Sequence, residues 1–387
     1  MIRSVVIGCA LLCAGCAGVS DSVTRFMGGK DNTEPPSPLV EFQSKLNVIE
    51  LWSASVGGGT AEQYLKLVPA LSKQRLYVAD SDGRVEALDA TNGARLWSTD
   101  VDERITGGPG VGENAVLVGT GEGGVIALDS ETGRRLWRAT VSSEVLSQPL
   151  KSEGIVIVRT NDGKVFALDG AKGTQLWIYD RTVPALTLRG TSSPVIVRGV
   201  VIAGFDAGRL AALDLRTGRL LWEVSVATAR GRSELERMVD IDSDPLVVND
   251  VIYVTTFQGQ LAAVQLDGGR ILWSRDISSY AGFTADESYI YLTDDNSTVW
   301  TFDRYSGATL WRQELLHARA ATGPASIGNF TVVGDLEGYL HWMHKSDGSF
   351  VARTRLSSRR IIVQPLVAGK VLYAYATDGQ LAAYTFR

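Results

Sequence analysis

Residues able to do chemistry are few in this chain of 387 residues, and none falls into a catalytic spacing. The three histidines are His317, His341 and His344. His341 and His344 stand three apart on or beside an expected strand, so their side chains point to opposite faces and a shared metal ion is disfavoured. No Gly-x-Ser-x-Gly elbow, phosphate-cradling glycine loop or zinc-type spacing is present. All three cysteines, Cys9, Cys13 and Cys16, fall in the opening segment. The remainder therefore has no disulfide and no Cys-x-x-Cys-His haem attachment, and its stability must come from packing. The paired acids scattered along the chain read as solvated loop faces. No catalytic residue, cofactor or metal ligand is assigned.

The charge balance, 38 Lys plus Arg against 43 Asp plus Glu, is mildly acidic and contains no basic stripe of the kind that neutralises phosphates. Nucleic acid is excluded as a partner on that ground. A hydrophobic content of 45% can bury a large core, but the length exceeds a usual single domain. The elements that must carry any site are thus either two domains or one repeat architecture.

A repeated phrase decides between them, returning about every 42 residues. One half reads Asp-Gly-x-h-x-Ala-Leu-Asp, where h is apolar. It ends at Asp89, Asp129, Asp169 and Asp214, and in weaker copies at Gln265, Asp303, His344 and Tyr384, eight in all. The other half is Thr-Gly-x-x-h-Trp, as at Gly93 with Trp97 and Gly133 with Trp137. Alternating apolar positions make half-buried strands; the Asp carboxylate accepts backbone N–H groups in the turn, and Gly supplies positive φ. Each Trp is expected to pack between neighbours, burying on the order of 200 Å². Valine- and isoleucine-rich runs upstream, such as RLYVAD and IVIVRT, are expected as buried strands near a central axis. Trp52 precedes the first copy, while the last turn ends in Ala352 where Trp belongs. An all-β, eight-bladed propeller of four-stranded blades follows, closed by residues 47–56 joining the blade begun by residues 360–387.

The phrase resembles the repeat of quinoprotein dehydrogenases, periplasmic eight-bladed propellers that hold pyrroloquinoline quinone at the axis. The resemblance covers residues 46–387 and implies the fold. In that family the Asp and Trp of the repeat are structural, so Asp89, Asp129, Asp169, Asp214 and Asp303 are expected to form turns. A quinone site would need a catalytic Asp, calcium ligands and, in many members, a vicinal disulfide that this chain cannot make.

Ahead of the repeats, Met1-Ile2-Arg3 is a short positive region and Val5 to Ala14 an apolar one, too short for the ~20 residues of a spanning helix. Ala14-Gly15-Cys16 resembles the end of a bacterial lipobox, with Cys13 where Leu is usual. Val6-Ile7-Gly8-Cys9 is a weaker competitor, and an ordinary secretory signal the alternative. The resemblance implies cleavage of residues 1–15, acyl chains (palmitate among them) on Cys16, and, because Ala17 rather than Asp follows, attachment to the outer membrane on its periplasmic face. Cleavage would remove Arg3 and no acid, leaving 37 bases against 43 acids, a balance of −6. Residues 16–45 are expected to be a flexible lipidated tether and 46–387 the propeller.

Function on a propeller is grafted where the spacing is decorated. Gly208 to Gly259 is the longest interval, 51 residues, through the insertion VATARGRSELERMVDIDSDP. One blade earlier lies RTVPALTLRGTSSP, with leucines beside Arg189. Such loops suit a protein partner with Arg and Leu anchors. Lipobox, repeats, LTLRG and DIDSDP together resemble the BamB family, the propeller lipoproteins of the outer-membrane β-barrel assembly (BAM) machinery. In that family the two loops bind the POTRA domains of BamA, which carries over to Leu186, Leu188 and Arg189 on one loop and Asp240 and Asp242 on the next. The alternative for Asp240 and Asp242 is the start of a strand whose acids bond local backbone. For Leu186 and Leu188 it is strand core, and for Arg189 an ion pair with one of those acids. The resemblance implies a non-catalytic scaffold that assists the folding and insertion of outer-membrane proteins. Addition of an unfolded precursor strand to a blade edge is a further conceivable contact, to which no residue speaks.

Overall fold

The computed structural model describes residues 34–60, 63–181, 192–227 and 239–387. Two units separate, Met1–Pro36 and Ser37–Arg387. Of the first only residues 34–36 are described, without regular structure. In the second, strands assemble into eight four-stranded antiparallel sheets, and no helix occurs among the described residues. We number the blades by residues 70–100, 105–140, 150–179, 195–225, 246–276, 283–313 and 325–355 for blades 1 to 7. Blade 8 joins both ends of the chain in the order Val48–Ser55, Gln380–Phe386, Val371–Tyr375, Leu366–Ala368. Val48 lies opposite Phe386 and Ser55 opposite Gln380, which is the closure the offset Trp pattern predicts.

The valine- and isoleucine-rich runs are the second strands of their blades rather than the innermost. The axis is ringed by the first strands, such as Leu150–Ser152, Val195–Val197 and Leu246–Val248, which touch one another from blade to blade. These are short and half-buried, so they carry no long apolar run for a sequence reading to catch. Second and third strands, such as Ile155–Arg159 and Val165–Asp169, are covered on both faces by neighbouring blades and are almost wholly buried. Their apolar character is therefore continuous rather than alternating.

Each outer strand carries one bulge. In blade 1, Trp97 lies opposite Ala87 and Arg95 opposite Leu88, so Leu96 has no counterpart. The same shift recurs in every blade, skipping Leu136, Leu176, Leu221, Leu272, Leu310, Val351 and Leu51. An extra residue bends and twists a strand locally. Here it turns the skipped leucine outward, 47% exposed at Leu96, and the adjoining Trp toward the next blade.

Seven tryptophans lock seven blade interfaces. The indole N–H of Trp52, Trp97, Trp137, Trp177, Trp222, Trp273 and Trp311 donates to a carbonyl in the next blade's turn at 2.7–3.2 Å. The ring lies on the turn glycine of that blade, at φ +67 to +73° for Gly93, Gly133, Gly173, Gly218, Gly269, Gly307 and Gly348. A Cβ on any of these would meet the ring at 2.5–2.6 Å, so glycine serves both the backbone and the contact. The turn acids behave as expected: Asp129 accepts from the Glu131 and Thr132 amides at 3.1 and 2.9 Å. Hydroxyl donors, from Thr91, Thr132, Thr217 and Ser306, are the main reason Asp89, Asp129, Asp214 and Asp303 titrate below the usual carboxylate range.

Ala352 replaces Trp because the eighth interface has no turn to receive one: blade 8 is where the chain ends meet. Leu46 packs into the core cluster around Ala352, and the residues before it run back along blade 7, with Val40 and Phe42 on the cluster of blades 6 and 7. The amides of Lys45 and Leu46 donate to the Val351 carbonyl, at 2.8 and 3.2 Å. Phe42 stacks on Phe350 with centroids 5.6 Å apart, and Arg353 lies over the Phe42 ring and donates to the Val40 carbonyl. Arg319 donates to the Ser37 carbonyl at 2.8 Å. This part of the expected tether therefore lies against the propeller. Val40 and Phe42, two apart on extended backbone, share one apolar face, a pattern too short to register in the sequence.

Candidate functional site

The insertion between blades 4 and 5 returns to the described structure at Val239. Val239, Asp240, Ile241, Asp242 and Ser243 are all at least nine-tenths buried. Ile241 enters the space that Gly204 leaves empty, and its amide reaches the Phe205 carbonyl. Flanked in this way, both acids are turned into the rim. Asp240 accepts from the Ala207 amide at 3.1 Å through its carboxylate and from the Phe257 amide through its carbonyl. Asp244 accepts from the Ser193 amide at 2.6 Å.

The centre of this ground is a cation that sequence reasoning missed. Arg159 ends the second strand of blade 3 and is 1% exposed. Its guanidinium lies 3.6 Å from the Asp206 carboxylate, 3.5 Å from the Ser192 carbonyl, and over the Phe205 ring at 5.3 Å. Burial pulls its proton affinity below the ordinary value, while Asp206, Asp242, Asp240 and Asp244 pull it back. A guanidinium keeps its proton even so. Burial likewise raises the Asp206 carboxyl against the pull of Arg159. Asp242 is pushed up to about 7, by burial first and by Asp240 in addition, with Lys66 and Arg159 opposing. The one signal available was a cation ending an apolar run, IVIVR.

Leu186, Leu188, Arg189 and Cys16 lie outside the described residues. The histidines point as their spacing implies. His341 is buried, with Nε2 2.9 Å from Asp335 and Nδ1 accepting from Arg353, while His344 is bonded to Ser346. Among the described residues no group of three His, Cys, Asp or Glu side chains could hold a metal ion, and no helix is long and apolar enough to cross a membrane.

A family model described as outer membrane protein assembly factor BamB matches residues 49–104, 81–313 and 296–387. The chain belongs to the BamB family. An Alkalilimnicola ehrlichii BamB is 54% identical over 333 residues, covering 86% of this chain and 87% of the relative. A Pseudomonas aeruginosa BamB is 47% identical, covering 91% and 93%. The crystal structure of BamB from Moraxella catarrhalis superposes with a TM-score of 0.80 at 29% identity, over 88% of this chain and all of that one. Membership in BamB accounts for the repeats without a quinone site. Of the carboxylates of this rim, Asp206 lies against Arg159, and Asp240 and Asp244 accept from backbone amides.

Proposed function

We propose that this chain is a non-catalytic assembly factor for outer-membrane β-barrel proteins, held by acyl chains on Cys16 at the periplasmic face of the outer membrane. The rim of blades 4 and 5 docks on the POTRA domains of BamA and through it joins the BAM complex. The observation that carries this reading is the family match along the whole propeller, shared with relatives named outer membrane protein assembly factor. The buried charge network supports a division of labour on the rim. Asp240 and Asp242, buried beside the charge of Arg159, set the shape and negative charge of the rim, and Leu186, Leu188 and Arg189 make the direct contact. Apolar anchors beside an arginine are the residues that dominate interface energies.

The test is Arg189→Glu. BamA should no longer co-purify with the variant from detergent-solubilised membranes, while thermal unfolding stays nearly unchanged. Retained co-purification, or absence of BamA from the wild-type pull-down, would overturn the reading.

A further inference from the structure

Connections between blades converge at one end of the propeller on a cavity of about 290 Å³. Tyr64 and Lys66 come from the connection into blade 1, Asp242 from that into blade 5, Tyr280 from that into blade 6 and Ile362 from that into blade 8, with Phe257 from a turn of blade 5. Phe257 and Tyr280 meet edge to face with centroids 6.5 Å apart, and Tyr64 lines the same wall. Asp242 is the acidic group in this wall. It is 5% exposed, and its Oδ2 is buried with no hydrogen-bond partner. Lys66 beside it donates to the Asp242 main-chain carbonyl and acts on the carboxylate through its charge, so this hydrogen bond does not satisfy Oδ2.

The chemistry a ligand must bring follows from those groups. A buried carboxylate oxygen without a donor calls for one, and a charged donor makes the strongest bond to it. The local balance is six acids, Asp206, Asp240, Asp242, Asp244, Asp294 and Asp295, against four bases, Lys66, Arg159, Arg181 and Arg360, which favours a cation over an anion. Aromatic faces attract cations and also cover an apolar stem. A volume at the lower end of small-molecule sites limits the ligand to a short one.

We propose that this cavity binds a primary ammonium on an unbranched apolar stem the length of a lysine side chain, its head at the Asp242 carboxylate and its stem against Tyr280 and Phe257. The same chemistry comes from a free alkylamine or from a lysine of a peptide. The inference goes beyond the assembly reading and does not depend on it, because the purified chain is the only protein required.

The experiment titrates purified chain at pH 8 with n-butylammonium, its neutral counterpart n-pentanol, and acetyl-lysine and acetyl-norleucine methylamides, followed by calorimetry and saturation-transfer NMR. Butylammonium should saturate the site and pentanol should bind at least ten-fold more weakly. Asp242→Asn should weaken butylammonium at least ten-fold, and Tyr280→Leu should weaken it in a protein whose melting temperature is retained. Equal binding of the lysine probe shows that the head is read whatever its source, and binding of that probe alone assigns the site to peptide; each supports the proposal. Pentanol binding as well as butylammonium, no saturable binding of either ammonium probe, or an affinity unchanged in folded Asp242→Asn and Tyr280→Leu, overturns it.

Discussion

Gly154 and Gly173 offer a controlled test of the tryptophan lock. Both lie in blade 3 at nearly the same backbone angle, φ +75° and +73°. A Cβ at Gly154 meets nothing within 4 Å, whereas at Gly173 it would stand 2.6 Å from Cε3 and 2.9 Å from Cδ2 of Trp137. Alanine in the left-handed region costs about 1–2 kcal/mol, offset by ~0.4–1 kcal/mol from a less flexible unfolded chain. Gly154→Ala should therefore lose about 1 kcal/mol or less. Gly173→Ala carries the same terms and a clash, since carbon atoms in contact sit ~3.5–4.0 Å apart. The ring has little room to retreat, being 8% exposed and tied through its N–H to the Gly170 carbonyl at 3.2 Å. Overpacking of this kind costs about 1–3 kcal/mol, and loss of the hydrogen bond about 1 more. Gly173→Ala should lose about 3–4 kcal/mol, read as the shift in urea midpoint by circular dichroism and tryptophan fluorescence. Equal losses in the two variants would refute the reasoning, since backbone strain alone would then account for both.

Asp242 should make stability depend on pH. Its folded carboxyl is pushed up to about 7, above the ~3.9 of an unfolded chain, so folding takes up a proton in between. Stabilisation from this group is complete below about pH 4 and is lost as pH rises through about 7. Relative to wild type, Asp242→Asn should gain stability between pH 4 and pH 8 by up to about 4 kcal/mol, and a pH-independent difference in urea midpoints would contradict this. Arg353→Ala removes the bond to the Val40 carbonyl and the cation over Phe42, together worth about 1–2 kcal/mol. Trypsin should then cut after Lys45 roughly ten-fold faster, followed by mass spectrometry; an unchanged rate would show that the arginine does not hold the segment.

Blade number and closure were determined by the sequence alone, because both rest on chemistry between neighbours in the chain. The Asp and Gly of a turn act within four residues of each other, and the displaced pair Trp52 and Ala352 states where the ring closes. The outer bulge is also local, yet it was not read, since one skipped leucine leaves the Leu-Trp phrase looking like an ordinary strand. The rim was legible only as a place. Asp240 and Asp242 stand out by their loop, but their burial depends on the Ala207 amide and the gap at Gly204, more than 30 residues earlier, and on Lys66, about 180 residues earlier. The cavity is further still from the linear order, being assembled from connections that enter five different blades. Burial of a carboxylate and the lack of a partner for its oxygen are properties of packing around the axis, and only the closed ring brings those groups within reach of one another.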